Sequence, residues 1–154
     1  AEEGQGFTIA LDTLDGGRLG IASQALGIAR ASIELIRDHL NAQVDGKGRP
    51  NASQRDQYLL ADLASELDAY RFLTWRAAIL RDNHVRCSTE AAMAKLTASR
   101  LANRAARAAV SILGTSGASG ATTAERLLRD ARITEIYEGA TDIQRLVIAR
   151  GLMA

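Results

Sequence analysis

The stretch ASQALGIARASIELIRDHL, Ala22 to Leu40, decides the fold class of this chain. Its apolar residues recur at a 4-3-4-3-4 spacing, at Ala22, Leu26, Ala29, Ile33, Ile36 and Leu40. This spacing places them on one face of an α-helix and leaves the charged residues on the other. A long amphipathic helix is therefore predicted here.

Three more stretches carry helical stripes. The second stripe has further apolar residues beside it, so its helix is expected to be central; it comprises Leu60, Leu63, Leu67, Tyr70 and Ala77. The third is rich in alanine, which permits close helix packing: Ala94, Ala98, Leu101, Ala105, Ala108 and Ile112. The fourth is shorter: Ile143, Leu146, Val147 and Arg150.

Glycine-rich and polar segments separate these stripes. VDGKGRPNAS, Val44 to Ser53, contains two glycines and the only proline, and Ser53 is placed to cap the second helix. GTSGASGATT, Gly114 to Thr123, ends the third helix, and a short helix is expected before the fourth stripe. The segment TLDGGR resembles a turn but lacks alternating flanks. Together these features predict an all-α fold, an antiparallel up-down four-helix bundle.

Composition limits the function classes. The chain has 154 residues, 47% of them hydrophobic, and a net charge of +1, which gives no reason to expect a nucleic-acid partner. The single cysteine, Cys87, excludes an internal disulfide and fits a reducing compartment. No uninterrupted apolar run reaches the roughly 18 residues of a membrane span, and no signal peptide is visible. A cytoplasmic location is expected.

Most familiar site motifs are missing from the sequence. His39, His84 and Cys87 do not form a metal-ligand spacing, so no metal site is expected. A Ser-His-Asp triad has no G-x-S-x-G to support it, and the glycines after Gly114 do not match a phosphate-binding loop.

Glu138 is the acid that stands out. It lies between Tyr137 and Gly139, just before the last helix. Burial of a carboxyl group favours its protonated form, and this suits a general base. Alternatively, the acid stabilises the N-terminus of the helix through the helix dipole. Spacing alone favours the second interpretation.

A long motif changes that balance. RDARITEIYEGATDIQRLVIAR, Arg129 to Arg150, resembles the C-terminal signature of the acyl-CoA dehydrogenases, which is close to RDAKIxxIYEGTSxIQRxxIAR. LDGGRLGIASQALGIARAS, LLADLASELDAYRFLTWRAA and EAAMAKLTAS resemble the first, second and third bundle helices of that family. The resemblance implies that residues 8–154 form the C-terminal four-helix bundle domain. Residues 1–7 would be the exit from a β-domain that this chain lacks, so the chain is expected to be a fragment.

The resemblance also implies a reaction. In the family, the glutamate at the position of Glu138 removes the α-proton of an acyl-CoA thioester, the β-hydrogen leaves as hydride to FAD, and a trans-2-enoyl-CoA results. The adjacent Gly139 lets the backbone approach the thioester. Some members carry the base on the first helix instead. Here that helix offers Gly17 and no nearby glutamate, which favours Glu138.

Further site residues follow from the same resemblance. The implied substrate-binding residues are Asp15, Arg18, Arg86, Tyr137 and Gly139; surface ion pairs are the alternative role for the three charged ones. The implied cofactor-binding residues are Gln54, Ser111, Gly114, Thr115, Ala140, Thr141 and Asp142. Five positions depart from the family pattern. Gln43, Gly46 and Ala140 stand where it has arginine, phenylalanine and threonine, and of its Q-x-x-G-G only Gly114 is kept, with Ser111 and Thr115 at the glutamine and second glycine positions.

These departures leave several functions open. The family shares FAD between subunits, so a homo-oligomer, dimer or tetramer, is expected, with an electron-transfer flavoprotein as electron acceptor. The isolated chain is expected to be inactive and to bind FAD weakly or not at all. The alternatives are a subunit of a heteromeric dehydrogenase, a non-catalytic helical oligomerisation module, and an acyl-CoA oxidase that passes electrons to oxygen.

Overall fold

The computed structural model describes residues 3–120 and 122–153, and that part of the chain is helical with no strand. The helices are α1 (Gly6–Ala42), α2 (Gln54–Asp82), α3 (Ser88–Leu113), α4 (Thr123–Ile133) and α5 (Thr141–Met153). A short 3₁₀ helix, Gly114–Ser116, follows α3. The predicted all-α class and helical bundle are confirmed. Helix α1 begins at Gly6 and so includes Phe7, which is exposed; the domain boundary between residues 7 and 8 stays a prediction.

Short polar side chains fix the helix starts. Ser53 Oγ accepts the backbone N–H of Asp56 at 3.1 Å, so the predicted cap of α2 is confirmed. Thr122 Oγ1 accepts the N–H of Glu125 in the same way at 3.3 Å. Ser88 does not cap α3, since its hydroxyl donates to the Asp15 carboxylate on α1. The start of α3 is therefore attached to α1.

The core lies between α1 and α3. All six residues of the α1 stripe are buried, as the spacing predicted. On α3, alanines with no exposed surface let α1 approach closely: Ala94, Ala98, Ala102, Ala105, Ala106 and Ala109. The expectation that α2 is central is wrong, since α3 packs against α1, α2, α4 and α5. The second apolar face of α2 is exposed in this chain, at Phe72, Trp75 and Ile79.

The stripe predicted for α5 is also not the buried face. Ile143 and Leu146 are about half exposed, whereas Gln144 is fully buried. The reason is that the Gln144 amide binds backbone carbonyls of the segment before α5, which turns that face of α5 inward. Apolar spacing alone does not reveal a helix that is oriented by a polar anchor.

The glycine pair of LDGGR lies inside α1 rather than in a turn. A Cβ atom at Gly16 would lie 2.9 Å from Arg81 Nη2, and one at Gly17 would lie 2.5 Å from Glu138 Cδ. Glycine in a helix interior costs about 1 kcal/mol relative to alanine. Here the absence of a Cβ gives room to one side chain from α2 and one from the segment before α5.

By length and composition alone, α1 would be able to span a membrane. This differs from the sequence-based expectation that the chain has no membrane span. One such helix is weak evidence, because the core helix of a bundle passes the same test. About 33% of the apolar window is buried in this chain, and the stripe of α1 belongs to the core.

Ile36→Ala is expected to reduce the free energy of unfolding of the chain by about 2–5 kcal/mol, because Ile36 on α1 has 0% exposed surface and its truncation leaves a cavity. Urea unfolding measures the loss. Ile79→Ala is the matched control, since Ile79 on α2 is 60% exposed, and its effect is expected within about 0.5 kcal/mol. Equal losses in the two variants would contradict the placement of the core.

Candidate active site around Glu138

The segment between α4 and α5 has an unusual backbone. Glu138 has a φ of +53° and Gly139 a φ of +95°, so two consecutive residues lie in the left-handed region. Glycine adopts this region freely, but for a glutamate it costs on the order of 1–3 kcal/mol and persists only where the surroundings hold it. Contacts of this segment with its neighbours must therefore stabilise the backbone conformation of Glu138.

Two buried side chains bind the carbonyl groups at this turn. Gln144 Nε2, on α5, donates to Gly139 O at 2.8 Å and to Glu138 O at 3.2 Å. Lys95 Nζ, on α3, donates to Gly139 O at 2.6 Å. Neither Lys95 nor Gln144 has exposed surface. The turn is thus held from two helices at once.

The same face of α3 continues this anchoring. Ser99 Oγ donates to Thr134 O at 2.8 Å, and Asn103 Nδ2 donates to Ala131 O at 2.9 Å. Together with Lys95 these donors are spaced by four residues and bind successive carbonyls from the end of α4 to the turn. Sequence reasoning missed all three. The sequence does contain a signal for these anchors, because the three polar residues recur at helical spacing within an alanine-rich apolar stretch.

The side chain of Glu138 is half-buried and lies directly against the backbone of α1 at Gly17. Two cations lie close to this region, Arg18 on α1 and Lys95 on α3. Burial lowers the pKa of Lys95, Arg18 lowers it further, and Glu135 and Glu138 oppose the decrease. The carboxylate of Glu138 therefore lies against α1, in a region that also contains the two cations.

Other predicted substrate residues have partners within the chain. Arg18 Nη1 pairs with Asp15 Oδ1 at 2.6 Å, and both residues are buried. Tyr137 OH donates to Gln24 Oε1 on α1, while Arg86 is exposed in the loop before α3. The pair Asp15–Arg18 is not the surface ion pair considered as the alternative. The contacts of all these residues with CoA stay predictions.

The predicted cofactor residues form two separate groups. Ala140, Thr141 and Asp142 lie at the start of α5, next to Glu138. The other group lies where α2 begins and α3 ends: Gln54, Ser111, Gly114 and Thr115. Since Lys95 and Ser111 are 16 residues apart on α3, the groups are separated by about 24 Å along the bundle. The structure does not bring them together in one place.

The second group suits a nucleotide chemically. Ser111 and Thr115 are exposed, so their hydroxyls are accessible as hydrogen-bond donors. Gly114 has a φ of +60° and open space around its Cα, which leaves the backbone accessible. Gln54 is exposed as well, although its amide donates to Tyr58 OH at 2.6 Å. These donors fit the polar parts of a flavin nucleotide.

In residues 3–120 and 122–153, no group of three metal-ligating side chains occurs.

The helical fold and the turn formed by Tyr137, Glu138 and Gly139 are both features of one protein family. The family model described as acyl-CoA dehydrogenase, C-terminal domain, matches residues 4–153. The chain belongs to the acyl-CoA dehydrogenase family. Over 153 residues it is 51% identical to the short-chain specific acyl-CoA dehydrogenase, mitochondrial, of Mus musculus, covering 99% of this chain and 37% of that protein.

Chains in two solved structures show the same fold. The chain matches butyryl-CoA dehydrogenase from Megasphaera elsdenii with a TM-score of 0.94 at 39% identity, covering 100% of this chain and 40% of that one. It matches a chain in the structure of the electron transferring flavoprotein of Acidaminococcus fermentans with a TM-score of 0.93 at 40% identity, covering 99% and 40%. The chain thus spans about two fifths of the length of the proteins that it matches here.

Proposed function

We infer that this chain is the C-terminal domain of an FAD-dependent acyl-CoA dehydrogenase in which Glu138 is the base. The observation that carries this is the placement of the Glu138 carboxylate. The turn at Glu138 and Gly139 is left-handed, and donors from α3 and α5 bind the Gly139 carbonyl. This turn directs the Glu138 carboxylate against Gly17 of α1, a residue without a Cβ. The family membership supplies the reaction class.

In the proposed reaction, the α-proton of the acyl-CoA passes to the Glu138 carboxylate, and the electron pair of that C–H bond forms the new double bond between Cα and Cβ. A bound flavin would supply the acceptor to which the β-hydrogen leaves with its electron pair, as hydride. The product is the trans-2-enoyl-CoA. Residues of this chain place the base.

The two groups of cofactor residues support an oligomer that shares its flavins. Residues 140–142 lie beside the base, whereas Gln54 and Ser111 to Thr115 lie about 24 Å away and would contact a second flavin. The exposed apolar face of α2 offers surface for further contacts, at Phe72, Trp75 and Ile79. An electron-transfer flavoprotein is the proposed electron acceptor, supported by the similarity to a chain in such a structure. The cytoplasmic location stays a prediction.

The test compares the full-length protein with the isolated chain. With a short acyl-CoA, the full-length protein is expected to lose its oxidised-flavin absorbance and to release the trans-2-enoyl-CoA. The isolated chain is expected to emerge colourless from gel filtration and to form no product, because it holds only part of the site.

Three results would count against the proposal. A yellow isolated chain would contradict weak FAD binding, and hydrogen peroxide release in step with enoyl-CoA formation would identify an oxidase. A full-length protein that binds acyl-CoA but leaves its flavin oxidised would favour a non-catalytic module.

A further inference from the structure

Lys95 is the largest of the fully buried side chains in the described part of the chain, with 0% exposed surface. A buried ammonium group is costly unless it is hydrogen-bonded and balanced by charge. Its neighbours along α3 are small and apolar, at Ala92, Ala94 and Ala98. A position of this kind would ordinarily hold leucine or methionine, so the lysine must make a contact that an apolar residue lacks.

That contact is the bond from Lys95 Nζ to Gly139 O, 2.6 Å long. Hydrogen bonds from a charged donor are shorter and roughly twice as strong as neutral ones. The same carbonyl also accepts from Gln144 Nε2 at 2.8 Å. Gly139 O is therefore held between α3 and α5, and the orientation of the peptide group after Gly139 is fixed because the peptide is planar.

The held carbonyl directly follows the strained residue. Glu138 has a φ of +53°, and its own carbonyl accepts from Gln144 Nε2 at 3.2 Å. Without the anchors on these two carbonyls, the turn of Glu138 and Gly139 would be free to rearrange as a unit. Glu138 would then relax toward the ordinary region of backbone conformation, and its side chain would leave the space above Gly17.

Burial lowers the pKa of Lys95 and Arg18 on α1 lowers it further, while Glu135 and Glu138 oppose the decrease. The carboxylates of the segment that Lys95 binds therefore favour its charged form.

We propose that Lys95, assisted by Gln144, is a positioning residue for α-proton abstraction: its bond to the Gly139 carbonyl keeps Glu138 in the left-handed conformation that directs the carboxylate at α1. The inference rests on the proposed function of Glu138. The other two donors on this face of α3, Ser99 and Asn103, bind carbonyls at the end of α4 and hold the segment without touching the turn.

The experiment uses the full-length protein with FAD bound and compares Lys95→Met with Ser99→Ala. Methionine has nearly the length of lysine and removes only the donor and the charge. Lys95→Met is expected to lower kcat for a short acyl-CoA by at least about 10-fold, with KM changed less than about threefold, since a displacement of about 1 Å can cost about 100-fold. The isotope effect with α-deuterated substrate is expected to rise, because proton abstraction becomes slower.

Ser99→Ala is the matched control for stability. It removes a buried donor to the same segment, so it is expected to lower Tm while kcat and the isotope effect stay within about twofold of the parent protein. The proposal is overturned if Lys95→Met, assayed at a temperature well below its own Tm, has the kcat and isotope effect of the parent protein. It is also overturned if Ser99→Ala lowers kcat as much.

Two further variants separate the possible failures. If Lys95→Met does not fold, Gln144→Leu removes the second donor to the same carbonyl and is expected to lower kcat by a similar factor; an unchanged kcat then overturns the proposal. Glu138→Gln tests the base itself. Its full activity would refute the proposed function, whereas its inactivity together with a normal Lys95→Met would refute only the positioning role.

Discussion

Glu138→Gln in the full-length protein is expected to lower kcat for acyl-CoA dehydrogenation by about 10²- to 10⁴-fold, the usual contribution of a general base. Glutamine matches the shape of glutamate but has no carboxylate to accept the α-proton. Binding of the acyl-CoA is expected to persist, because the turn is held through backbone carbonyls that the substitution leaves in place. Flavin reduction under single turnover measures the chemical step directly.

Glu135→Gln is the control for charge. Glu135 belongs to the same segment, and its partly buried carboxylate pairs with the exposed Arg132 at 2.8 Å. Its replacement removes one negative charge near Lys95 but no base, so kcat is expected to stay within about threefold. Equal losses in both variants would indicate that the charge of the segment, rather than a proton acceptor at Glu138, governs the rate.

Gly17→Ala is expected to lower kcat by about 100-fold while leaving α1 helical. The new Cβ would lie 2.5 Å from Glu138 Cδ, so the carboxylate would have to move by about 1 Å, which is enough to cost that factor. Alanine is also the better helix former by about 0.5–1 kcal/mol. Activity and helix propensity are therefore expected to change in opposite directions, which steady-state kinetics and urea unfolding measure together.

Gly20→Ala provides the matched control one turn further along α1. A Cβ at Gly20 meets nothing within 4 Å, so the substitution is expected to stabilise the helix by about 0.5–1 kcal/mol and to leave kcat unchanged. If Gly17→Ala retained full activity, the carboxylate would not need the space above Gly17. A comparable loss in Gly20→Ala would instead point to a general effect on α1.

Much of the fold follows from local periodicity. The stripe from Ala22 to Leu40 is buried in full, and Ser53 caps α2 as its position indicated. These features depend on neighbours within a few turns, which the sequence displays directly. The burial of α2 and α5 depends on which elements they meet, so Phe72 and Ile143 are apolar yet exposed in this chain.

The glycines of LDGGR show the same limit. Their pattern resembles a turn, and only the structure shows that they lie in α1, opposite Arg81 and Glu138. A glycine retained for space is indistinguishable in sequence from one retained for flexibility, because the side chain that fills the space comes from a distant segment.

The sequence by itself determined the helical class, the family and the identity of Glu138 as the candidate base, since motif and periodicity are written in consecutive residues. Only the tertiary structure decided how Glu138 is held. Three helices meet at the turn, through Lys95 on α3, Gln144 on α5 and Gly17 on α1. Contacts between residues so far apart in the sequence arise from packing rather than from any local pattern.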